Sequence, residues 1–182
     1  MDSSEDGVTL LSGFIFDVLS EYESMRHGKC APVFKLVEGL NPEKPDEWVP
    51  MSTYNGVCNW IEENIGVASI QDAGRAIGSR AFDRMVQDGV VKLEPSPQEI
   101  LEGLKYAADV MIRDPKKRGW ELRDIGAERI TMRRTQTFNC QLQDGLLFSL
   151  LDRTKVLHAR VQHAACTREG AEYCDYVCTW RE

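Results

Sequence analysis

Four side chains that can ligate a soft metal fall where the segment Cys140–Glu182 changes direction, and this restricts how the chain can fold more than any other feature. Cys140 opens an apolar run, Gln141–Asp152, in which Leu142, Leu146, Leu147, Leu150 and Leu151 recur at helical spacing. His163 ends a strand-like run, Lys155–His163. Cys166 lies in the turn that follows, and Cys174 stands at the start of a last extended run, Glu172–Trp180.

Strand alternation gives these positions geometry. Side chains two apart share a face, so Leu157, Ala159, Val161 and His163 form the apolar side of the first run and His158 points the other way. In the second run Cys174, Tyr176, Cys178 and Trp180 share a face. Cys174 and Cys178 lie ~13 Å apart along an extended strand, too far for both to hold one ion at ligand distances of ~2.3 Å. Cys178 is therefore expected in the core. The remaining set is Cys140, His163, Cys166 and Cys174, of which the last three form a local H-x2-C-x7-C unit around one hairpin. Cys140 would open a helix, whose N-terminus favours a thiolate. Three thiolates and an imidazole fill a closed tetrahedral zinc site. Spacing alone leaves two other readings standing: buried thiols beside a hydrogen-bonded histidine, and iron–sulfur ligation by the same residues.

Composition narrows the class. The chain has 182 residues, 42% hydrophobic and 28% charged, which suits a single soluble core. Its net charge of -7 argues against a nucleic-acid surface. The short run Lys116-Lys117-Arg118 after Asp114-Pro115 reads as a solvated turn. The acidic start carries no targeting signal, and no stretch approaches the ~20 apolar residues that span a membrane. A cytoplasmic, reducing setting is expected, in which six cysteines serve burial or metal binding rather than disulfides.

Residues 1–7 read as a disordered tail, 8–68 as a helical N-terminal part, and 69–182 as the domain that holds the cluster, packed with 8–68 as one unit. Helical spacing covers 8–23, a shorter helix covers 31–40, and the proline-rich stretch after Asn41 is a loop that packs Trp48. Two helices follow, over 53–66 and 69–89. Gly74 and Gly78 in the second admit close helix packing, and their spacing does not match a dinucleotide loop. Ser96-Pro97-Gln98-Glu99 is a helix start with a capping box, and the helix runs to about Arg113. Trp120–Ile125 and Ala127–Thr135 are short strands, with Ile130 and Met132 on one face. The expected fold is α+β: a helical N-terminal half packed on a C-terminal, mainly antiparallel sheet, with one helix inserted between strand pairs.

These residues carry a resemblance. Cys140, Gly145, Cys166 and Cys174 match positions of the 4-vinyl-reductase-type domain of bacterial sensors, and are most similar to the zinc-binding half of the sensor domains of aromatic-responsive activators. In that pattern a cysteine begins the penultimate helix, a glycine follows five residues on, and a carboxylate-x2-Cys-x7-Cys group closes the zinc site; His163 stands where the carboxylate would be. The resemblance implies structural zinc at Cys140, His163, Cys166 and Cys174. It implies an architecture like that of haem nitric-oxide-binding domains and of small transport-particle subunits, with a tendency to form a homodimer. A haem sensor would need an axial histidine within a helix and a Tyr-x-Ser-x-Arg motif. The histidines are His27, His158 and His163 and the motif is absent, so zinc is the expected cofactor and haem is not.

Catalysis is not expected, because no nucleophile elbow is present and a closed zinc site cannot activate water. The expected function is a sensory or regulatory module with a cavity for a small hydrophobic or aromatic ligand. Its candidate lining is Trp120, Phe82, Tyr106 and Phe138, with Trp120 foremost because the aromatic sensors carry a tryptophan at a similar distance before the first zinc cysteine. With no DNA-binding or ATPase segment after Glu182, output is expected to pass through a partner signalling protein. The alternative is a ligand-free dimeric protein-interaction module.

Overall fold

The computed structural model describes residues 4–181; residues 1–3 of the expected tail, and Glu182, lie outside the described residues. The fold is α+β, with a helical N-terminal half and a C-terminal antiparallel sheet, as the patterning predicts. Chain order is β1 (Thr9–Leu11), α1 (Gly13–Ser20), α2 (Ala31–Lys35), β2 (Trp48–Pro50), α3 (Met51–Asn64), α4 (Val67–Gln87), α5 (Pro97–Met111) and β3 (Ile112–Arg113). The second half is β4 (Trp120–Gly126), β5 (Arg129–Arg134), α6 (Cys140–Asp152), β6 (Leu157–Ala165) and β7 (Cys174–Arg181).

The main sheet has the order β4-β5-β7-β6, all antiparallel. On β7, Cys174, Tyr176, Cys178 and Trp180 are buried and alternate with half-buried residues, as the period of two requires. β6 departs from its expected alternation at one point. His158 has a left-handed backbone, φ 54°, and the register shifts between Leu157 and Arg160, so Leu157 turns outward and is 59% exposed.

A second sheet, β2-β1-β3, was not apparent from periodicity. Leu10 and Leu11 fit the helical pattern of the residues after them, yet Leu10 pairs with Val49 and Ile112 in antiparallel ladders. Tertiary pairing overrides propensity here, and the helix begins only after Ser12, whose hydroxyl donates to the Lys44 carbonyl at 2.9 Å. The same pairing ends α5 at Met111 instead of Arg113. Trp48 packs under the Arg113 guanidinium, 3.7 Å from its ring centre. The start of α5 is the expected capping box between Ser96 and Glu99.

α6 is the central helix. It packs along α4, and glycine makes the approach possible: a Cβ at Gly78 would stand 2.6 Å from the Leu146 carbonyl oxygen, and Cβ atoms at Gly74 and Gly145 would overlap the backbones at Leu142 and Gln71. This bears out the reading of Gly74 and Gly78 as a packing pair. Arg118 is no solvated turn residue, since its guanidinium, 9% exposed, pairs with Asp114 at 2.7 Å and donates to the Ser4 carbonyl. Among the described residues no helix is long and apolar enough to cross a membrane.

Candidate metal centre and apolar cavity

The elements bring Cys140, His163, Cys166 and Cys174 together. Their donor atoms all lie within 4.8 Å of one another. Asn139 caps α6, its side-chain oxygen accepting from the Leu142 amide at 3.0 Å, which sets Cys140 in the first turn of the helix. The β6–β7 hairpin supplies the other three. Cys166 stands between the end of β6 and a single helical turn, Thr167–Glu169, and Cys174 opens β7.

Distances within the cluster discriminate between its possible chemistries. The Cys140 and Cys174 sulfurs are 3.6 Å apart, and those of Cys166 and Cys140 are 3.8 Å apart. A disulfide needs ~2.05 Å. Thiolates on a tetrahedral zinc at ~2.3 Å have an edge of ~3.8 Å. His163 stacks on Tyr176, with ring centres 4.4 Å apart and planes 10° from parallel, and its Nε2 is buried without a hydrogen-bond partner. Three buried thiols and an orphaned imidazole nitrogen are therefore arranged as a donor set.

Arg134 adds a feature that sequence reasoning missed. It is 1% exposed, and its guanidinium donates to Cys174 Sγ at 2.9 Å and Cys140 Sγ at 3.4 Å, and to the Phe138 carbonyl. A buried cation aimed at sulfur implies thiolate character there. The hydrogen bond shared with Cys140, aided by His163, Arg134 and Thr167 against the cost of burial, pulls the Cys174 thiol well below its ordinary range. The same bond and burial push Cys140 up. Cys58 and Cys178 lie in the core with no such partners, and burial pushes both up to about 12. Cys178 is outside the donor cluster, as the strand spacing required. A polar hollow of ≈190 Å³, lined by Asn55, Asn59, Arg134, Asn139, Cys140 and Arg168, opens onto the cluster.

A cavity of ≈360 Å³ lies among α1, α4, α5 and α6 and touches the main sheet at Trp120. Three of the four expected lining residues reach it. Trp120 and Phe138 line its wall, and Tyr106, 58% exposed, stands at its edge. Phe82 does not line it; that ring is buried beneath the Arg153 guanidinium, 5.5 Å from its centre. Phe14, Tyr54 and Phe138 form a run of edge-to-face contacts along one side. Arg80 bonds to the Asp17 carbonyl and to Glu21 at the rim. The cavity and the metal cluster are joined by aromatic contacts: Trp120 meets Tyr176 edge-on at 5.8 Å, and Tyr176 carries His163 on its face.

No family model matches the sequence, and no curated protein matches it. Solved structures do. An H-NOX protein from Shewanella oneidensis in the Fe(II)NO ligation state superposes with a TM-score of 0.67 at 15% identity, over 94% of this chain and 100% of that one. An H-NOX protein from K. algicida gives 0.61 at 12% identity, over 95% and 97%. A structure described as probing heme distortion in the H-NOX family gives 0.61 at 13%, over 94% and 96%. At these identities the likeness shows the fold alone.

That likeness corrects one expectation from the sequence. Zinc as the sole cofactor, with haem dismissed, does not stand, because the solved proteins of this fold are described by Fe(II) ligation and by heme. The expectation rested on a missing motif and a missing helical histidine, and the fold is kept at 12–15% identity without either.

Proposed function

We propose that the chain is a sensory or regulatory module in which an apolar ligand occupies the cavity and a metal-braced sheet corner holds the cavity's wall in place. The observation that carries this reading is the cavity itself: ≈360 Å³ lined by Trp120, Phe138, Tyr54 and Leu104, inside a fold shared with H-NOX proteins. Sites for small ligands are enclosed, largely apolar and of about this size. Occupancy would be transmitted to a partner protein, and the module would itself be non-catalytic.

The brace is a metal ion held by Cys140, His163, Cys166 and Cys174, a donor set suited to zinc. Three thiolates, a neutral imidazole and a dication leave one negative charge, and Arg134 supplies the opposite one. With four protein donors the coordination is closed, so its part is structural.

A second occupant of the cavity is favoured by the H-NOX proteins described in Fe(II)NO and heme states: an iron porphyrin. None of the described lining residues is a histidine; besides the rim carboxylates of Asp17, Asp46 and Asp88, the lining residues with possible donor atoms are Met85, Met111, Tyr54 and Tyr106. Burial holds the Tyr54 hydroxyl well above its ordinary range, so Tyr54 resists becoming a phenolate. The Tyr106 phenol and the thioethers of Met85 and Met111 are therefore the lining groups that would hold the iron.

Thermal melting of the full chain with small neutral aromatic compounds, and absorbance with added hemin, test the reading. A rise in melting temperature that Trp120→Phe weakens and Phe82→Leu leaves unchanged supports a small-ligand cavity. A Soret band at one haem per chain assigns the porphyrin. Neither response, together with a dimer in solution, would replace the sensor with the protein-interaction module.

A further inference from the structure

Apart from Tyr54, whose hydroxyl lies beside the Cys58 thiol, the buried lining of the large cavity carries two polar groups. Gln143 projects from α6, one turn before Leu146, and is 3% exposed. Its amide has no hydrogen-bond partner among the described residues, in contrast to Asn139 one turn earlier, which bonds Asn59, Glu62 and the Leu142 amide. Trp120, also 3% exposed, packs its ring on Tyr176, and its indole N–H likewise has no partner among the described residues. The charged residues of the lining are not comparable: Asp46, Arg84 and Asp88 are exposed, and Arg80 and Asp17 bond each other at the rim.

Because Gln143 is 3% exposed and lines the cavity, a molecule that fills the cavity strips its amide of water, and an amide left unpaired in that state is costly. The apolar wall around it does not explain it, since leucine or methionine would fill the same volume at no such cost. The amide is uncharged and offers both a donor and an acceptor. The indole adds one donor. A ligand that satisfies them is neutral and mostly apolar, with one carbonyl or hydroxyl group at the end that reaches α6.

We infer that Gln143 is the specificity-determining residue of the cavity, selecting apolar molecules that carry a single uncharged hydrogen-bonding group over pure hydrocarbons of the same shape. This rests on the cavity being a ligand site, as proposed above. Selection is strong because a hydrocarbon leaves the buried amide unpaired while filling the site, whereas a ketone or alcohol pairs it. Carboxylates are disfavoured, because of the wall's two cations Arg80 is already paired with Asp17 and Glu21 and Arg84 is exposed.

Three compounds of nearly one shape test this on the full chain by titration calorimetry: ethylbenzene, acetophenone and 1-phenylethanol. The wild type should bind the ketone and the alcohol about tenfold more tightly than the hydrocarbon. Gln143→Met, which keeps the volume and removes the amide, should bring the three affinities together by weakening the polar pair and leaving ethylbenzene unchanged or tighter. Equal affinities in the wild type, or a gap that survives in Gln143→Met, would overturn the role of Gln143 while leaving the cavity as a ligand site. Failure of all three to bind the folded wild type would overturn the cavity reading and this inference with it.

Discussion

Arg134 is the residue on which the metal reading can be tested without touching a ligand. It stands 2.9 Å from Cys174 Sγ and 3.4 Å from Cys140 Sγ, and it is 1% exposed. Its role as counter-charge predicts that Arg134→Met weakens metal binding by about 10–100-fold, the usual effect of losing a partner that supports a metal's ligands. Competition with a chromophoric chelator reads this directly, and unchanged affinity would mean that the arginine serves packing alone. The grouping of Cys140, His163, Cys166 and Cys174 was legible in the sequence because they sit at element ends, and the period of two kept Cys178 out of it. Arg134 was legible only in part. It continues the inward alternation Ile130, Met132 on β5, but nothing in that pattern says what a charge on the apolar face is paired with. Gln143 could not be found, since α6 is buried on nearly every side and so has no polar face against which an inward amide would stand out. Leu157 was misplaced because the bulge at His158 reverses the alternation, and histidine carries no signal for a left-handed backbone as glycine does.

At the scale of elements, the α4–α6 contact is the seam on which both candidate sites depend. α6 presents Cys140 to the cluster from its first turn and Gln143 and Leu146 to the cavity from the next. Gly145 lies between them against the Gln71 carbonyl, in a place where a Cβ overlaps backbone. Gly145→Ala should therefore force the helices apart and destabilise the fold by about 3 kcal/mol, the upper range for overpacking. The midpoint of urea unfolding reports it. Gly89→Ala is not a fair control, because Gly89 has a φ of +71° and would be strained for a different reason; Gly56, with open space around its Cβ position, is. A cost at Gly145 no larger than at Gly56 would contradict the seam. Period and capping were enough to locate every long element, whereas the two- and three-residue strands of the small sheet were missed: so short a segment is defined by its partners, and Leu10 becomes a strand only because Val49 and Ile112 flank it.

Across the whole molecule, the cavity and the cluster are joined by one chain of ring contacts. Trp120 belongs to the cavity wall, Tyr176 to the centre of the main sheet, and His163 to the donor cluster, in continuous ring contact. The metal would hold the β6–β7 hairpin to the start of α6 and so keep Tyr176 and Trp120 in place. The decisive measurement is elemental analysis of the purified full chain, wild type beside Cys166→Ala, with the melting temperature of each. The account predicts about one metal ion per wild-type chain, zinc by ligand preference, and its loss in Cys166→Ala together with a lower melting temperature. Metal-free wild-type protein with three titratable thiols at the cluster, as stable as its Cys166→Ala variant, would contradict it.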